Sequence, residues 1–175
     1  MSLLSIARPA SLSRWFWSLL AANFLFIIAA KLLLQPFTPG EIVRFELAKE
    51  VPVAENILRE WITHGKYNMA VMSIYLDFLF IILYTMGLGV TCIFLAGLTG
   101  HEILQRAGKF FASLLIVAGI CDAIENFAML RSMHGTIHRW SVILTYDMAT
   151  TKFSIVLLTV LFIFVCLVFR LLRKL

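Results

Sequence analysis

The sequence predicts an all-α protein: an integral membrane four-helix bundle in which an amphipathic two-helix extramembrane loop joins the first and second spans. Hydrophobic residues make up 61% of the chain and charged residues only 14%, with a mean hydropathy of +0.93. Soluble domains average about 45–50% apolar and about 25% charged residues. The apolar residues also gather in four runs, each close to the roughly 20 residues that cross a bilayer core. The 175 residues are therefore expected to form a single transmembrane domain.

The four predicted spans cover about residues 15–34, 70–98, 110–130 and 147–169. In the first span, Lys31 lies near enough to one end for its ammonium group to reach the lipid headgroups. This run follows Arg14, is longer than the apolar core of a cleavable signal peptide, and precedes no small-residue cleavage site. We therefore expect it to stay in the protein as a span.

The loop at about residues 39–65 is expected to be helical. The run Thr38-Pro39-Gly40-Glu41 has the spacing of a capping box, with proline at the first helical position. A second helix is expected to start near Pro52 and to end at Gly65, with an apolar stripe of Val53, Ile57, Leu58, Trp61 and Ile62 along one face. Two alternatives stay open: the pair covers the bundle as a lid, or it only packs at the membrane surface.

The distribution of basic residues indicates the orientation. Basic residues are denser in segments 1–14, 99–109 and 170–175 than in the loops on the other side. The positive-inside rule then predicts that both termini are cytoplasmic, although the raw numbers on the two sides are nearly equal. Because these residues flank apolar runs, the pI of 9.4 reflects topology signals, and we expect no nucleic-acid partner.

Polar residues interrupt the apolar runs at nearly one depth. Asp122, Glu125 and Asn126 stand at i, i+3 and i+4, so they project from one face of a single helical turn. Ionisable residues inside spans usually face the bundle interior or a water-filled cavity. Asp77 and Lys152 lie at the same predicted end of the second and fourth spans. The sequence therefore predicts a carboxylate-rich pocket in the outer third of the bundle.

Candidate roles follow from the chemistry of these residues. The carboxylates could act as general acids or bases, or could stabilise a cation, while a lysine beside them tunes their ionisation. The candidate catalytic residues are Asp77, Asp122, Glu125 and Lys152. The candidate ligand-binding residues on the spans are Tyr84, Asn126, Tyr146 and Asp147.

Histidines and cysteines give weaker signals. His134 and His138 could share a metal ion if their segment were helical, but Gly135 disfavours a helix there and no third ligand stands at a diagnostic spacing. They are weak candidates only, and we predict no metal and no other cofactor. The cysteines lie singly inside apolar runs, which excludes thiol–disulfide chemistry; they are Cys92, Cys121 and Cys166.

Three functions fit the pattern. The first is binding or conversion of a lipid-like molecule. The second is a non-catalytic structural or assembly subunit of a membrane complex or homo-oligomer, in which the carboxylates pair with Lys152 to fix the helices. The third is proton or cation transport, which is disfavoured because the third span offers only Gly119 and Ser113 below Asp122. The expected partners are membrane lipids, a lipid-like ligand and a membrane protein.

Short motifs spread over most of the chain resemble a pattern found in small, uncharacterised bacterial four-span membrane proteins. These motifs are Phe45-Glu46, Tyr75-x-Asp77-Phe78 with Tyr84, Asp122-x-x-Glu125-Asn126, and Lys152-Phe153. The resemblance implies no particular activity. It implies that Glu46 belongs to the polar cluster as a further ligand-binding residue, together with Lys152. A location in a bacterial inner membrane is expected.

Overall fold

The computed structural model describes residues 9–173. Within this range the chain forms six α-helices and no β-strand, which confirms the all-α fold class. The helices are α1 (Pro9–Leu33), α2 (Pro39–Glu46), α3 (Val51–Thr63), α4 (Tyr67–Thr99), α5 (Glu102–Met133) and α6 (Arg139–Leu172).

Four helices, α1, α4, α5 and α6, are long and apolar enough to cross a membrane. The last three extend beyond the predicted spans at both ends, and α6 reaches 34 residues. At about 1.5 Å per residue, a helix of that length measures about 50 Å, which exceeds the roughly 30 Å of a hydrocarbon core. Several turns of such long helices would therefore extend beyond a hydrocarbon core, into the headgroup region or the water.

The packing centres on α4, which contacts α1, α5 and α6. A Cβ atom at Gly108 of α5 would lie 2.9 Å from the carbonyl oxygen of Cys92 on α4, so a glycine at this position permits the close approach of the two backbones. The first helix packs mainly on α4. There the side-chain amide of Asn23 donates a 2.9 Å hydrogen bond to the carbonyl oxygen of Leu83.

The short helices α2 and α3 connect α1 to α4. The backbone N–H of Thr38 donates to Glu41 Oε2 at 2.8 Å, which satisfies a donor at the start of α2. After α3, Gly65 adopts a φ of +67°. Lys66 N–H then donates to the carbonyl oxygen of Trp61 at 2.7 Å, as in a glycine-terminated helix.

The buried face of α3 consists of Ala54, Ile57 and Trp61. Val53 and Ile62, which were expected on this face, are 43% and 60% exposed. The helix is therefore rotated relative to the predicted stripe, because Trp61 turns inward to contact two other aromatic rings. Its ring centroid lies 5.4 Å from that of Phe37 and 5.2 Å from that of Phe45.

Side-chain contacts define two ends of the bundle. The hydroxyl of Tyr67, at the start of α4, donates to the carbonyl oxygen of Met133, at the end of α5, at 3.0 Å. This end also carries α2 and α3. At the opposite end, the Arg173 guanidinium donates to the carbonyl oxygen of Thr99. The long helices therefore run alternately up and down.

Candidate binding site

Lys152 of α6 lies at the centre of a buried charged cluster. Its Nζ is 2.7 Å from Asp122 Oδ1, 2.9 Å from Glu125 Oε2 and 3.6 Å from Glu46 Oε2. The contact with Asp122 is a hydrogen bond, whereas the contacts with Glu125 and Glu46 are ion pairs without hydrogen-bond geometry. All four residues are at most 6% exposed. The ammonium group thus joins α2, α5 and α6.

The polar residues of α5 also connect to α4. Asp122, Glu125 and Asn126 share the buried face of α5, as their spacing predicts. Asn126 Nδ2 donates to Asp77 Oδ2 at 2.7 Å, and the Tyr84 hydroxyl donates to Asp122 Oδ2 at 2.9 Å. Asp77 and Tyr84 are seven residues apart on α4, which is about two helical turns, so they meet α5 from the same side.

Glu46 enters the cluster from the last turn of α2. Its neighbour Phe45 packs in the apolar core with Trp61, which holds the end of α2 against the bundle. Burial raises the pKa of the Glu46 carboxyl above its ordinary value; the Lys152 ammonium opposes this rise and the Asp122 carboxylate adds to it. The environment of Glu46 therefore favours its neutral form more than water does.

Several buried acceptor atoms around Lys152 have no hydrogen-bond donor among the described residues. These atoms are Glu46 Oε2, both carboxyl oxygens of Glu125, and Asn126 Oδ1. Buried polar atoms are nearly always satisfied in folded proteins, so such a concentration at one place calls for an explanation.

A cavity of about 500 Å³ lies beside the cluster. Its charged and phenolic lining consists of Glu46, Asp77, Tyr84, Asp122 and Lys152. Most of the remaining lining is apolar and includes Leu20, Ile42, Val43, Phe80, Leu88, Phe153 and Val156. Along α4 the lining runs from Asp77 to Thr91, a distance of about 21 Å at 1.5 Å per residue. The cavity therefore combines one polar region with a long apolar wall.

Most of the sequence-predicted site residues lie at this place. Among the candidate catalytic residues, Asp77, Asp122 and Lys152 line the cavity, and Glu125 contacts Lys152 without lining it. Asn126 does not line the cavity either, but its side-chain amide donates a hydrogen bond to Asp77, which does. The sequence analysis missed Asn23 of α1, which also lines the cavity. An amide inside an otherwise apolar span was the signal that could have revealed it.

Tyr146 and Asp147, two of the candidate ligand-binding residues, do not line this cavity. Tyr146 is half-buried and its ring centroid lies 5.4 Å from Lys49 Nζ, while Asp147 is exposed. Successive residues of an α-helix are rotated by about 100°. Residues five and six positions before Lys152 therefore point well away from it.

His134 and His138 are exposed and lie at the two ends of the turn between α5 and α6. This turn is not helical, so the four-residue spacing does not bring the imidazoles to one face. His134 Nδ1 is instead 2.9 Å from the carbonyl oxygen of Leu130. Across residues 9–173, no group of three His, Cys, Asp or Glu side chains is placed to hold a metal ion.

The arrangement can accept hydrogen bonds through several carboxylates and can accommodate an apolar chain. Comparison with models of known families, with curated proteins and with solved structures finds no match to this chain.

Proposed function

We propose that this is an integral membrane protein that binds a lipid-like molecule in the cavity beside Lys152. The polar part of the ligand would lie at the carboxylates and its apolar part along α4 and α6. The main support is a cavity of about 500 Å³ whose lining joins five charged or phenolic side chains to a largely apolar wall. Pockets for small molecules usually measure about 300–1,000 Å³ and are mostly apolar with a few placed polar groups.

The position of α1 supports access from the membrane. This helix contributes Leu20 and Asn23 to the lining, yet it packs mainly on α4 and has little contact with α6. In a bilayer, the gap between α1 and α6 would face the hydrocarbon core. An apolar chain could then reach the cavity sideways without crossing water.

The short helices would lie outside the hydrocarbon core and cover the cavity. Pro39, Ile42, Val43 and Glu46 of α2 all belong to the lining, so α2 would act as a lid. If the bound molecule is converted, Asp77 and Glu46 are the best-placed acid or base groups. They face the cavity, and Lys152 donates no hydrogen bond to either of them.

A second function has its own supporting observation. Lys152 contacts carboxylates on two other helices, α2 and α5, and such buried ion networks can fix how helices pack. The protein would then be a non-catalytic subunit that assembles with other membrane proteins. Transport has less support, because the buried hydroxyls of Thr99 and Thr159 donate to carbonyl groups of their own helices.

Native mass spectrometry of protein purified in a neutral detergent tests the proposal. We expect the wild-type protein to carry a bound molecule of lipid size. Leu88→Trp would place a large ring in the lining and should abolish this bound mass. Leu157→Trp is the matched control, because Leu157 is 60% exposed and lies outside the lining.

Two results would contradict lipid binding. Equal bound mass in wild type and Leu88→Trp would place the molecule elsewhere, as an annular lipid. A stoichiometric protein partner without a small molecule would instead favour the assembly subunit.

A further inference from the structure

We infer that the ligand of this cavity carries a positively charged amine at its polar end and no phosphate, an inference that rests on the binding function proposed above. The ligand class is thus a cationic amphiphile: an apolar body that ends in a protonated amine. Four features of the site support it: the ratio of acidic to basic groups, the incomplete hydrogen bonding of its carboxyl groups, its aromatic rings, and the shortage of other cations.

The acidic groups outnumber the basic groups. Glu46, Asp122 and Glu125 surround the single ammonium of Lys152, while Asp77 is held by Asn126, which is an uncharged amide. With every carboxyl ionised, these four carboxylates and one ammonium carry a net charge of −3, and with Glu46 in the neutral form that its burial favours the net charge is −2. Buried charges are costly unless they are paired or neutralised. A cationic ligand supplies a missing positive charge.

Glu46 brings to the cavity a carboxyl group with incomplete hydrogen bonding. The Glu46 side chain is buried and lines the cavity, and its Oε2, which lies 3.6 Å from Lys152 Nζ, accepts no hydrogen bond. On α4, Asp77 also lines the cavity and accepts from Asn126 through Oδ2, which leaves Oδ1 outside that bond. An ammonium group has three donors, so one amine could be shared by the carboxylates of α2 and α4.

Aromatic rings add to the suitability of the site for a cation. Phe80 and Tyr84 both line the cavity, with ring centroids 5.4 Å apart. Faces of aromatic rings attract ammonium groups, and more strongly where water is excluded.

A phosphate would have no suitable partner in the cavity. Among the described residues that line it, Lys152 is the only one with a basic side chain, and its ammonium already contacts three carboxylates. A phosphate beside Glu46 and Asp77 would add negative charge to a negative site. Simple long-chain amines are therefore favoured over phospholipids with an amine in the headgroup.

Four probes test the inference in the full-length protein in a neutral sugar detergent. Three share one alkyl chain and differ only in the head: dodecylamine, dodecanol and dodecanoate. The fourth is phosphatidylethanolamine, which has an amine and a phosphate. Binding is measured by titration of the melting temperature and by native mass spectrometry. We expect dodecylamine to bind at least about tenfold more tightly than the other three, since charge-assisted hydrogen bonds exceed neutral ones by about that factor.

Glu46→Gln and Asp77→Asn keep the shape of the side chains and should each weaken dodecylamine binding about tenfold or more. Asp147→Asn is the matched control, because Asp147 is exposed and outside the lining; it should bind like wild type. The two test residues lie on different helices, so each variant measures the effect even if the other fails to fold.

The outcomes separate this inference from the binding function. The cationic class would be overturned if dodecanol bound as tightly as dodecylamine and neither amide variant changed the binding. If that binding were still lost in Leu88→Trp, the proposed lipid binding would remain intact. Phosphatidylethanolamine binding as tightly as dodecylamine would overturn the exclusion of phosphate. Identical behaviour of every probe in wild type and Leu88→Trp would overturn both proposals.

Discussion

Lys152 holds together a cluster whose members come from three separate helices. It pairs with Asp122 at 2.7 Å and with Glu125 at 2.9 Å, while being only 6% exposed itself. A lone lysine in an apolar run would be costly at this depth. The neighbouring carboxylates offset the cost of burying the Lys152 charge, and the Lys152 ammonium in turn reduces the repulsion between the carboxylates.

Replacing Lys152 should therefore destabilise the protein strongly. Lys152→Met leaves buried carboxylates without their cation, and breaking a buried ion pair in this way typically costs about 3–5 kcal/mol. Thermal unfolding in detergent, followed by circular dichroism, measures the effect. Lys49→Met is the control, because Lys49 is exposed. A wild-type melting temperature for Lys152→Met would mean that the ion pairs contribute no net stability.

Amide substitutions in the same cluster distinguish the two proposed functions. If the cluster binds a ligand, Asp122→Asn and Glu125→Gln reduce the excess of negative charge, so the melting temperature should stay equal or rise while the bound molecule is lost. Binding sites commonly sacrifice stability in this way. If the cluster only holds helices, both variants should be less stable, and Lys152→Met should relieve the loss when combined with them.

The helix α3 shows how an element can be predicted while its orientation is not. Its limits follow from local signals: a proline in the first turn and Gly65 after the last. Several apolar residues compete for the buried face, however, and hydrophobic spacing alone does not rank them. Contacts of Trp61 with Phe37 and Phe45 decide which stripe faces inward.

Two neighbouring apolar residues of α3 test this orientation. Trp61 is 3% exposed and Ile62 is 60% exposed. Trp61→Ala should lower the stability by about 3–5 kcal/mol, as is typical for large buried aromatic side chains, whereas Ile62→Ala should have little effect. The melting temperatures of the two variants in detergent give the comparison. Equal values would show that α3 does not dock through Trp61, and the lid proposal would then fail.

In the whole molecule, the site depends on which helix ends lie together. The α2–α3 pair lies at the end where Tyr67 contacts Met133, and Arg173 contacts Thr99 at the other end. The cluster lies nearer the first of these ends. The orientation predicted from the basic residues would place this end outside the cell and the termini in the cytoplasm.

Cysteine labelling tests this orientation on a background without the native cysteines. Single cysteines at Glu55 and His138, both exposed, should react with an impermeant thiol reagent added to intact cells, because the density of basic residues favours cytoplasmic termini. A cysteine at Arg173 should react only after the cells are opened. Labelling of position 173 in intact cells, with position 55 protected, would invert the topology.

The sequence alone determined the all-α class, the apolar runs and the shared face of Asp122, Glu125 and Asn126. These features depend on composition and on helical periodicity, which act over a few neighbouring residues. Only the tertiary structure decided that Lys152 contacts Glu46, that Asn23 lines the cavity and that Asp147 does not. Those facts depend on which faces of distant helices meet, and the close packing of their side chains sets this, which no local pattern encodes.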